Sequence, residues 1–221
     1  MTTDVAVRET APAVGTRERL LDAAEKLFAE RGFAGASVRE ITAEVPCNLA
    51  SVNYHFRSKD LLYQEVFRRR LAKLREQRLA VIRDSLSSAE QPELVALLYT
   101  FASSFLEPYV TDGEGRMLMH LISHEILEPH LPPGMFFEEI VDPVHGELAS
   151  ALLRVCPGLG LQAANCAVHS VVAQLLHFLN TQSYAGLLYT PEAHEALPGL
   201  LDHIVRFSAA GIQSLAETNG N

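Results

Sequence analysis

Residues 16–61 read TRERLLDAAEKLFAERGFAGASVREITAEVPCNLASVNYHFRSKDL, and this stretch decides the fold of the N-terminal region. Its first part places apolar side chains three and four residues apart, which is the period of an amphipathic helix. We expect Thr16 to cap this helix and Gly32 to close it. Ser37 and Glu40 have the spacing of a capping box, which predicts the start of a second helix.

The turn after this second helix and the next two helix starts are marked by single residues. Pro46 ends the second helix because proline has no backbone N–H with which to continue it. Asn48 and Ser58 are residue types that cap helices, so a third and a fourth helix are predicted to start after them. Two short helices joined by a tight turn place the second of them in the DNA major groove. The stretch therefore predicts double-stranded DNA as a partner.

An aromatic and basic run, NYHFRSK at residues 53–59, closes the third helix. Together with the helix spacing before it, this run resembles the N-terminal domain of TetR-type transcriptional regulators. Three positions depart from the family pattern: Pro46 replaces the usual glycine of the turn, Thr42 a small residue and Asn53 a tyrosine. The resemblance implies a helix-turn-helix head joined to a larger helical domain, which binds a small-molecule effector and forms a homodimer.

Proline and glycine divide the rest of the chain into further helical segments, without the alternation typical of a β-strand. A turn is predicted at 112–115, and Pro143 is expected to kink a helix or start a new one. The fold class is therefore all-α, a three-helix DNA-binding head plus a larger helical body, with about nine helices. We predict a disordered arm at 1–14, a helix-turn-helix DNA-binding domain at 15–61 and a helical effector-binding and dimerisation domain at 62–221.

Charge is divided unevenly along the chain, whose net charge is −9. Residues 1–83 contain 15 Lys and Arg against 11 Asp and Glu, whereas residues 84–221 contain 3 against 16. The positive N-terminal region is attracted to DNA phosphates, whereas the acidic remainder of the chain is repelled by them. The three arginines at 68–70 are equally compatible with an ordinary solvated helix face.

The cysteines and the apolar runs predict the compartment. Cys47, Cys156 and Cys166 are odd in number and lack metal-site spacing, which is typical of a reducing cytoplasm. Such cysteines are most often small buried hydrophobes, although redox activity is left open. No apolar run reaches the roughly 18 residues that span a bilayer, and the N-terminus lacks the apolar core of a signal peptide. We therefore predict a cytoplasmic protein with no membrane partner.

The third helix and its flanks supply the predicted DNA contacts. Asn53 is suited to adenine through its amide, and Leu49 or Ala50 to a thymine methyl group. The basic and aromatic members of the set are expected to contact phosphates. The predicted DNA-binding residues are Arg39, Asn48, Leu49, Ala50, Ser51, Asn53, Tyr54, His55 and Lys59.

The last two helices, near 161–183 and 192–217, are apolar around most of their circumference. A helix of this kind is buried on more than one side, either in a subunit interface or in a monomeric core. Two such helices from each of two subunits would form a four-helix interface, which is the usual dimer of the family that the chain resembles. The predicted interface residues are Val168, Val172, Leu175, Leu179, Ile204, Phe207 and Gly211.

The resemblance implies an effector pocket among the middle helices, where aromatic residues and histidines are frequent. Such aromatics line apolar cavities, although each is equally compatible with plain core. Phe136 and Phe178 are further aromatic candidates. The predicted pocket residues are Phe101, Phe105, Tyr109, His120, His124, Phe137 and His169.

Two histidines of this set raise a metal-site alternative. His120 and His124 are one helical turn apart with Glu125 beside the second, a spacing that can hold a metal ion. The zinc-protease pattern instead places the glutamate beside the first histidine, and that order is absent. We therefore expect hydrogen-bonded pocket or interface histidines, no metal and no cofactor.

The segments 124–129 and 136–143 resemble the effector domain of the CecR-like branch of the family. That resemblance implies a drug-like or aromatic effector.

The sequence predicts a DNA-binding transcriptional regulator, a repressor released from a palindromic operator by a small molecule. The competing hypotheses are a helical enzyme that acts on a small substrate or binds a metal, and an adaptor that uses its apolar C-terminal helices. No nucleophile elbow, phosphate-binding glycine loop or paired-carboxylate spacing is present, so we predict no enzymatic activity.

Overall fold

The computed structural model describes residues 15–45, 47, 49–87, 92–111, 113–184 and 190–219. Within these ranges the chain forms nine α-helices and one short π-helical segment, with no strand. The predicted all-α fold is confirmed, whereas the predicted disordered arm at 1–14 lies outside the described residues. The helices are α1 (Thr16–Gly35), α2 (Val38–Ala43), α3 (Leu49–Phe56), α4 (Lys59–Ser87), α5 (Leu94–Thr111), α6 (Gly113–Leu127), α7 (Asp142–Val155), α8 (Leu161–Tyr184) and α9 (Pro191–Asn219).

The chain divides into two compact units, Met1–Val66 and Phe67–Asn221. The boundary between the two units lies within α4. The sequence predicts that the DNA-binding domain ends at residue 61, which is also within α4. The first unit has its own core, in which the Phe28 ring lies edge-on to Tyr63 with centroids 4.9 Å apart. Its buried side chains include Leu20, Phe28, Ile41, Val52 and Tyr63.

Local capping explains where the helices of the first unit begin. The Ser37 hydroxyl accepts from the backbone N–H of Glu40 at 3.2 Å, and the Glu40 carboxylate accepts from the backbone N–H of Ser37 at 2.9 Å. This capping box confirms the predicted start of α2. The Ser58 hydroxyl likewise accepts from the N–H of Leu61 at 3.2 Å and caps α4. The predicted cap of α1 is wrong, because Thr16 is already helical and Gly15 precedes it without a side-chain cap.

The glycines of the chain mark kinks and close contacts as well as helix ends. Gly32 adopts a left-handed conformation, φ 69°, and kinks α1, which continues to Gly35. The turn predicted at 112–115 is wrong from residue 113 onward, because α6 begins at Gly113. A Cβ at Gly115 would collide with the backbone carbonyl of Pro108, so this glycine permits a close approach of α5 and α6.

The sequence predicts either a kink or a new helix at Pro143, and the structure shows a new helix, α7, that begins at Asp142. A π-helical segment, Phe137–Val141, leads directly into α7, in which Pro143 is in the first turn. Pro143 has no N–H to donate to the carbonyl of Glu139 four residues earlier. That carbonyl instead accepts from the guanidinium of Arg75 on α4 at 2.8 Å. Because the proline cannot donate to the Glu139 carbonyl, Arg75 of α4 provides that carbonyl with a hydrogen-bond donor.

In the second unit, α5 packs against α6 and α9, and α8 packs against α7 and α9. Leucine, valine and phenylalanine side chains from all of these helices form one continuous core. Within the described part of the chain, every helix is too short or too polar to cross a membrane.

Candidate DNA-binding surface and effector cavity

Helix α3 has one buried face and one exposed face. Val52 and Phe56 are buried in the core of the first unit. Ala50, Asn53 and Tyr54 lie on the opposite face, and the Tyr54 side chain is 84% exposed. These three predicted DNA contacts are therefore accessible to a large ligand such as a duplex.

The remaining predicted DNA contacts differ in their accessibility. Arg39 is exposed on α2, whereas Ser51 and His55 are half-buried on α3. The His55 ring lies against Tyr54 with centroids 5.0 Å apart. Asn48 and the side chain of Leu49 lie outside the described residues.

Lys59 lies at the start of α4 and packs against an aromatic ring. Its Nζ is 4.3 Å from the centroid of Phe33, which is a cation–π contact. Burial lowers the pKa of Lys59, while the charges of Asp60 and Glu40 oppose that change. The ammonium is thus less available to a phosphate than the exposed guanidinium of Arg39.

Arg17 packs against the C-terminal end of α3, the helix that is predicted to enter the major groove. Arg17 is not among the residues that the sequence indicated. Its guanidinium bonds to the Glu65 carboxylate at 2.6 Å and lies 5.2 Å from the centroid of Phe56. A second ion pair, Arg31 to Glu40 at 2.7 Å, holds α2 to α1. The two pairs join residues 48 and 9 positions apart, on different helices, so the spacing within one helix did not indicate them.

The second unit contains a cavity of about 260 Å³ whose lining is mostly apolar. Side chains from α4 to α8 and from the π-helical segment enclose it. Of the seven predicted pocket residues, Phe101, Phe105 and Tyr109 line this cavity, and the candidate Phe136 also does.

The other four predicted pocket residues do not line the cavity. On α6 the inward position is Ile122, which leaves His120 exposed and His124 half-buried beside it. Phe137 is 56% exposed because its neighbour Phe136 faces the cavity. His169 is exposed on α8. The remaining candidate, Phe178, is a buried core residue that does not line the cavity.

Arg78 is a charged cavity residue that the sequence did not indicate as part of the pocket. It is only 6% exposed, and its guanidinium carbon lies 3.8 Å from the centroid of Phe105. Its Nε has no hydrogen-bond partner among the described residues. Burial lowers the pKa of Arg78, while the charge and hydrogen bond of Tyr109 oppose the change. A signal did exist, since Arg78 continues the inward stripe of Leu71 and Leu74 at helical spacing.

His145 is a further polar residue at the cavity that the sequence did not indicate. Its ring centroid is 4.9 Å from that of His169. His169, a predicted pocket residue, therefore contacts a residue that lines the cavity without lining the cavity itself. Burial, followed by the charges of His169 and Arg78, lowers the pKa of His145, and Asp142 opposes this.

The metal-site alternative finds no support in the region the structure describes. Glu125 is buried, and its Oε1 accepts from the backbone N–H groups of His130 and Leu131 at 2.9 and 2.8 Å. It therefore holds the chain that leaves α6. Within the described ranges, no group of three or more His, Cys, Asp or Glu side chains is arranged to hold a metal.

The predicted interface residues of α8 and α9 divide between a buried and an exposed face. Val168, Leu175, Leu179 and Ile204 lie in the core of the chain itself, because both helices are apolar on the side that packs against the other helices. Val172 is half-buried and lines the cavity, whereas Phe207 and Gly211 are exposed. Four of the seven predicted interface residues therefore fit the alternative, in which α8 and α9 are buried in the core of a monomer.

The outer face of α8 and α9 carries a shallow groove of about 190 Å³. Phe207, 67% exposed, and Leu215, 43% exposed, lie along it. Leu176 on α8, 45% exposed, lines the cavity instead of this groove. We call this surface, formed by Cys166, Ser170, Gln174, Phe207, Gly211 and Leu215, the α8–α9 face.

Comparison with known families matches both units. The profile of the bacterial regulatory proteins of the tetR family matches residues 20–66, and that of the tetracyclin repressor-like C-terminal domain matches residues 99–211. The chain belongs to the TetR family. The resemblance seen in the sequence is thereby confirmed, whereas the CecR-like branch stays a prediction.

Individual TetR-type relatives match parts of the sequence and most of the fold. The HTH-type transcriptional regulator AcrR of Shigella flexneri is 26% identical over 110 residues, 50% of this chain and 49% of the relative. An HTH-type transcriptional repressor of Mycobacterium tuberculosis is 33% identical over 85 residues, 36% of this chain and 46% of the relative. The chain thus spans about half the length of these curated relatives.

Solved structures show the fold that this TetR-family chain shares. A TetR-family regulator from Mesorhizobium loti has a TM-score of 0.68 at 18% identity, over 93% of this chain and 98% of that one. A transcriptional regulator from Rhodococcus sp. RHA1 has a TM-score of 0.62 at 22% identity, over 90% and 97%. TetR-family regulators bind operator DNA, act as dimers and respond to small-molecule effectors.

Proposed function

We propose that this chain is a sequence-specific DNA-binding transcriptional regulator, a repressor that a small molecule releases from a palindromic operator. It is not an enzyme, and it acts in the cytoplasm, where its operator is. The observation that carries the proposal is the exposed face of α3, where Ala50, Asn53 and Tyr54 lie opposite a buried face. A short helix anchored from behind and polar in front is suited to enter a major groove.

The exposed residues of α2 and α3 make two kinds of contact with DNA, to base edges and to phosphates. Asn53 reads a base through its amide, and Ala50 contacts a thymine methyl group. Arg39 and Tyr54 bind phosphates and fix the register of α3 on the duplex. His55 and Lys59 support the same contacts from half-buried positions. The Arg17 ion pair with Glu65 keeps α3 in place while these contacts form.

A second copy of the chain is the partner proposed for the α8–α9 face. The face is apolar at Phe207 and Leu215, and it is open to close approach at Gly211. A two-fold dimer would bury the same residues of both copies. Such a dimer presents two copies of α3 to half-sites about one helical turn apart, which suits a palindromic operator.

Release requires a link between the cavity and the DNA-binding unit, and α4 supplies it. This helix is continuous from Lys59 to Ser87, and Leu71, Leu74 and Arg78 in its middle part line the cavity. Glu139 of the π-helical segment forms ion pairs with Arg68 at 3.0 Å and Arg75 at 3.1 Å. An effector that displaces this segment therefore also displaces α4. The effector shifts the equilibrium only if it prefers the released arrangement.

A gel-shift titration with the DNA that precedes the chain's own gene tests the proposal. We expect a shift that persists with excess scrambled DNA of the same composition, since base contacts add to the phosphate term. An enzyme or an adaptor predicts no difference between the two DNAs. Equal retention of both DNAs, or of neither, would refute the regulator function.

A further inference from the structure

We propose that the cavity of the second unit binds a small apolar carboxylate, whose carboxyl group pairs with the guanidinium of Arg78. This inference rests on the proposed function, in which that cavity holds the effector, and it names the effector's chemical class.

Arg78 is a buried charge that meets no carboxylate among the described residues. It has no ion pair among the described residues, and its Nε has no hydrogen-bond partner there. A guanidinium buried in this way loses its hydration, and the loss is recovered only when partners satisfy its N–H groups. The Phe105 ring at 3.8 Å and the hydrogen bond to Tyr109 supply part of that compensation. An anionic ligand would supply the rest.

The geometry of a carboxylate matches what Arg78 lacks. Its two oxygens accept from two N–H groups of one guanidinium in parallel, which gives both strength and a fixed orientation. Arg78 lines the cavity, so a ligand inside can reach it. Tyr109 and His145 line the same cavity and provide further polar groups near the charged end. A cationic ligand would instead meet an unneutralised positive charge.

The rest of the cavity selects an apolar body of limited size. Phe101, Phe136, Ile140 and Val144 are among its walls and offer no charge. Its volume of about 260 Å³ is smaller than the roughly 300 to 1,000 Å³ of sites that hold drug-sized ligands. A medium-chain fatty acid or a single-ring aryl acid combines such a body with one carboxylate.

Two matched pairs of probes test the inference on the full chain. Octanoate and hydrocinnamate carry the carboxylate, and octanamide and hydrocinnamamide have nearly the same shape without the charge. Calorimetric titration should give binding of both acids, roughly tenfold or more tighter than the amides, because a hydrogen bond to a charged group exceeds a neutral one. Failure of both acids to bind, or equal affinity of acids and amides, would overturn the inference.

The Arg78→Met variant tests the role of the guanidinium. The long apolar side chain of methionine fills similar space, and replacing a buried unpaired charge is expected to leave the fold intact. Acids and amides should then bind alike. A retained preference for acids would overturn the assignment to Arg78. The gel shift is independent of this result, because acid binding without an operator shift would keep the carboxylate site and refute the regulator function.

Discussion

Asn53 lies exposed on α3, where its amide can donate to and accept from the edge of an adenine. Replacing Asn53 by Ala removes that pair of hydrogen bonds and leaves the buried face of α3 unchanged. We expect a relaxed base preference at one position, at about 1–3 kcal/mol per half-site. Titration of operators substituted at single positions measures this. An unchanged ranking of those operators would contradict a base-reading role.

Arg39→Ala is the matched control, because Arg39 is also exposed but is assigned to phosphate. Removing a side chain that binds phosphate weakens the affinity for all sequences alike. The slope of log affinity against log salt should also fall by about 0.9 for each phosphate that the variant no longer neutralises. Asn53→Ala should leave that slope unchanged.

Gly115 and Gly146 differ in what surrounds them, although both lie in helices. A Cβ at Gly115 would strike the carbonyl of Pro108, whereas a Cβ at Gly146 meets nothing within 4 Å. We expect Gly115→Ala to lower the free energy of unfolding by about 1–3 kcal/mol. Gly146→Ala should raise it by about 0.5–1 kcal/mol, because alanine favours a helix. Urea denaturation compares the two, and similar effects of both changes would contradict the close approach of α5 and α6.

Residues whose roles are local could be predicted from the sequence. The caps at Ser37 and Ser58 depend on neighbours three residues away, so spacing alone indicates them. Arg78 and His145 could not be placed at the cavity, because their surroundings come from helices distant in sequence. A charge within an apolar stripe of α4 was the only local sign of Arg78.

The α8–α9 face is the surface on which the proposed dimer depends. Replacing Phe207 by Arg would place a charge in the proposed interface of both copies, while the Phe207 side chain is 67% exposed in the single chain. We expect folded monomers, since burial of each Phe side chain stabilises a two-fold interface by about 1.5–3 kcal/mol. Light scattering after size exclusion measures the mass, and circular dichroism verifies the fold.

Ile126→Arg serves as the matched control for the dimer. Ile126 is 73% exposed on α6, outside the α8–α9 face. This variant should keep the mass of the unaltered chain. A dimer that survives Phe207→Arg, or dissociates equally in both variants, would place the interface elsewhere.

The sequence predicts where the helices lie better than it predicts which face of each helix is buried in the core. The periodicity of α8 and α9 indicated helices that are apolar all round, but it could not separate the core face from the outer face. Four of the seven predicted interface residues are consequently core residues. Gly113 and Gly115 were interpreted as a turn for a similar reason, because the sequence does not show a neighbouring helix.

Effector and operator DNA should each weaken the binding of the other. A coupling free energy of about 1–3 kcal/mol would weaken operator binding roughly five- to 150-fold when the cavity is filled. Linkage requires the operator to weaken effector binding by the same factor. Calorimetric titration of an effector with and without operator DNA measures both. Equal affinities in the two titrations would leave a DNA binder without ligand-controlled release.

We propose that two copies of α3 read a two-fold symmetric operator. Selection of the purified chain's binding sites from a pool of random-sequence duplexes tests it most directly. We predict enrichment of a palindrome whose half-sites lie about one helical turn, or a multiple of one, apart. Recovery of unenriched sequences, or of a single half-site without a symmetric partner, would contradict the account.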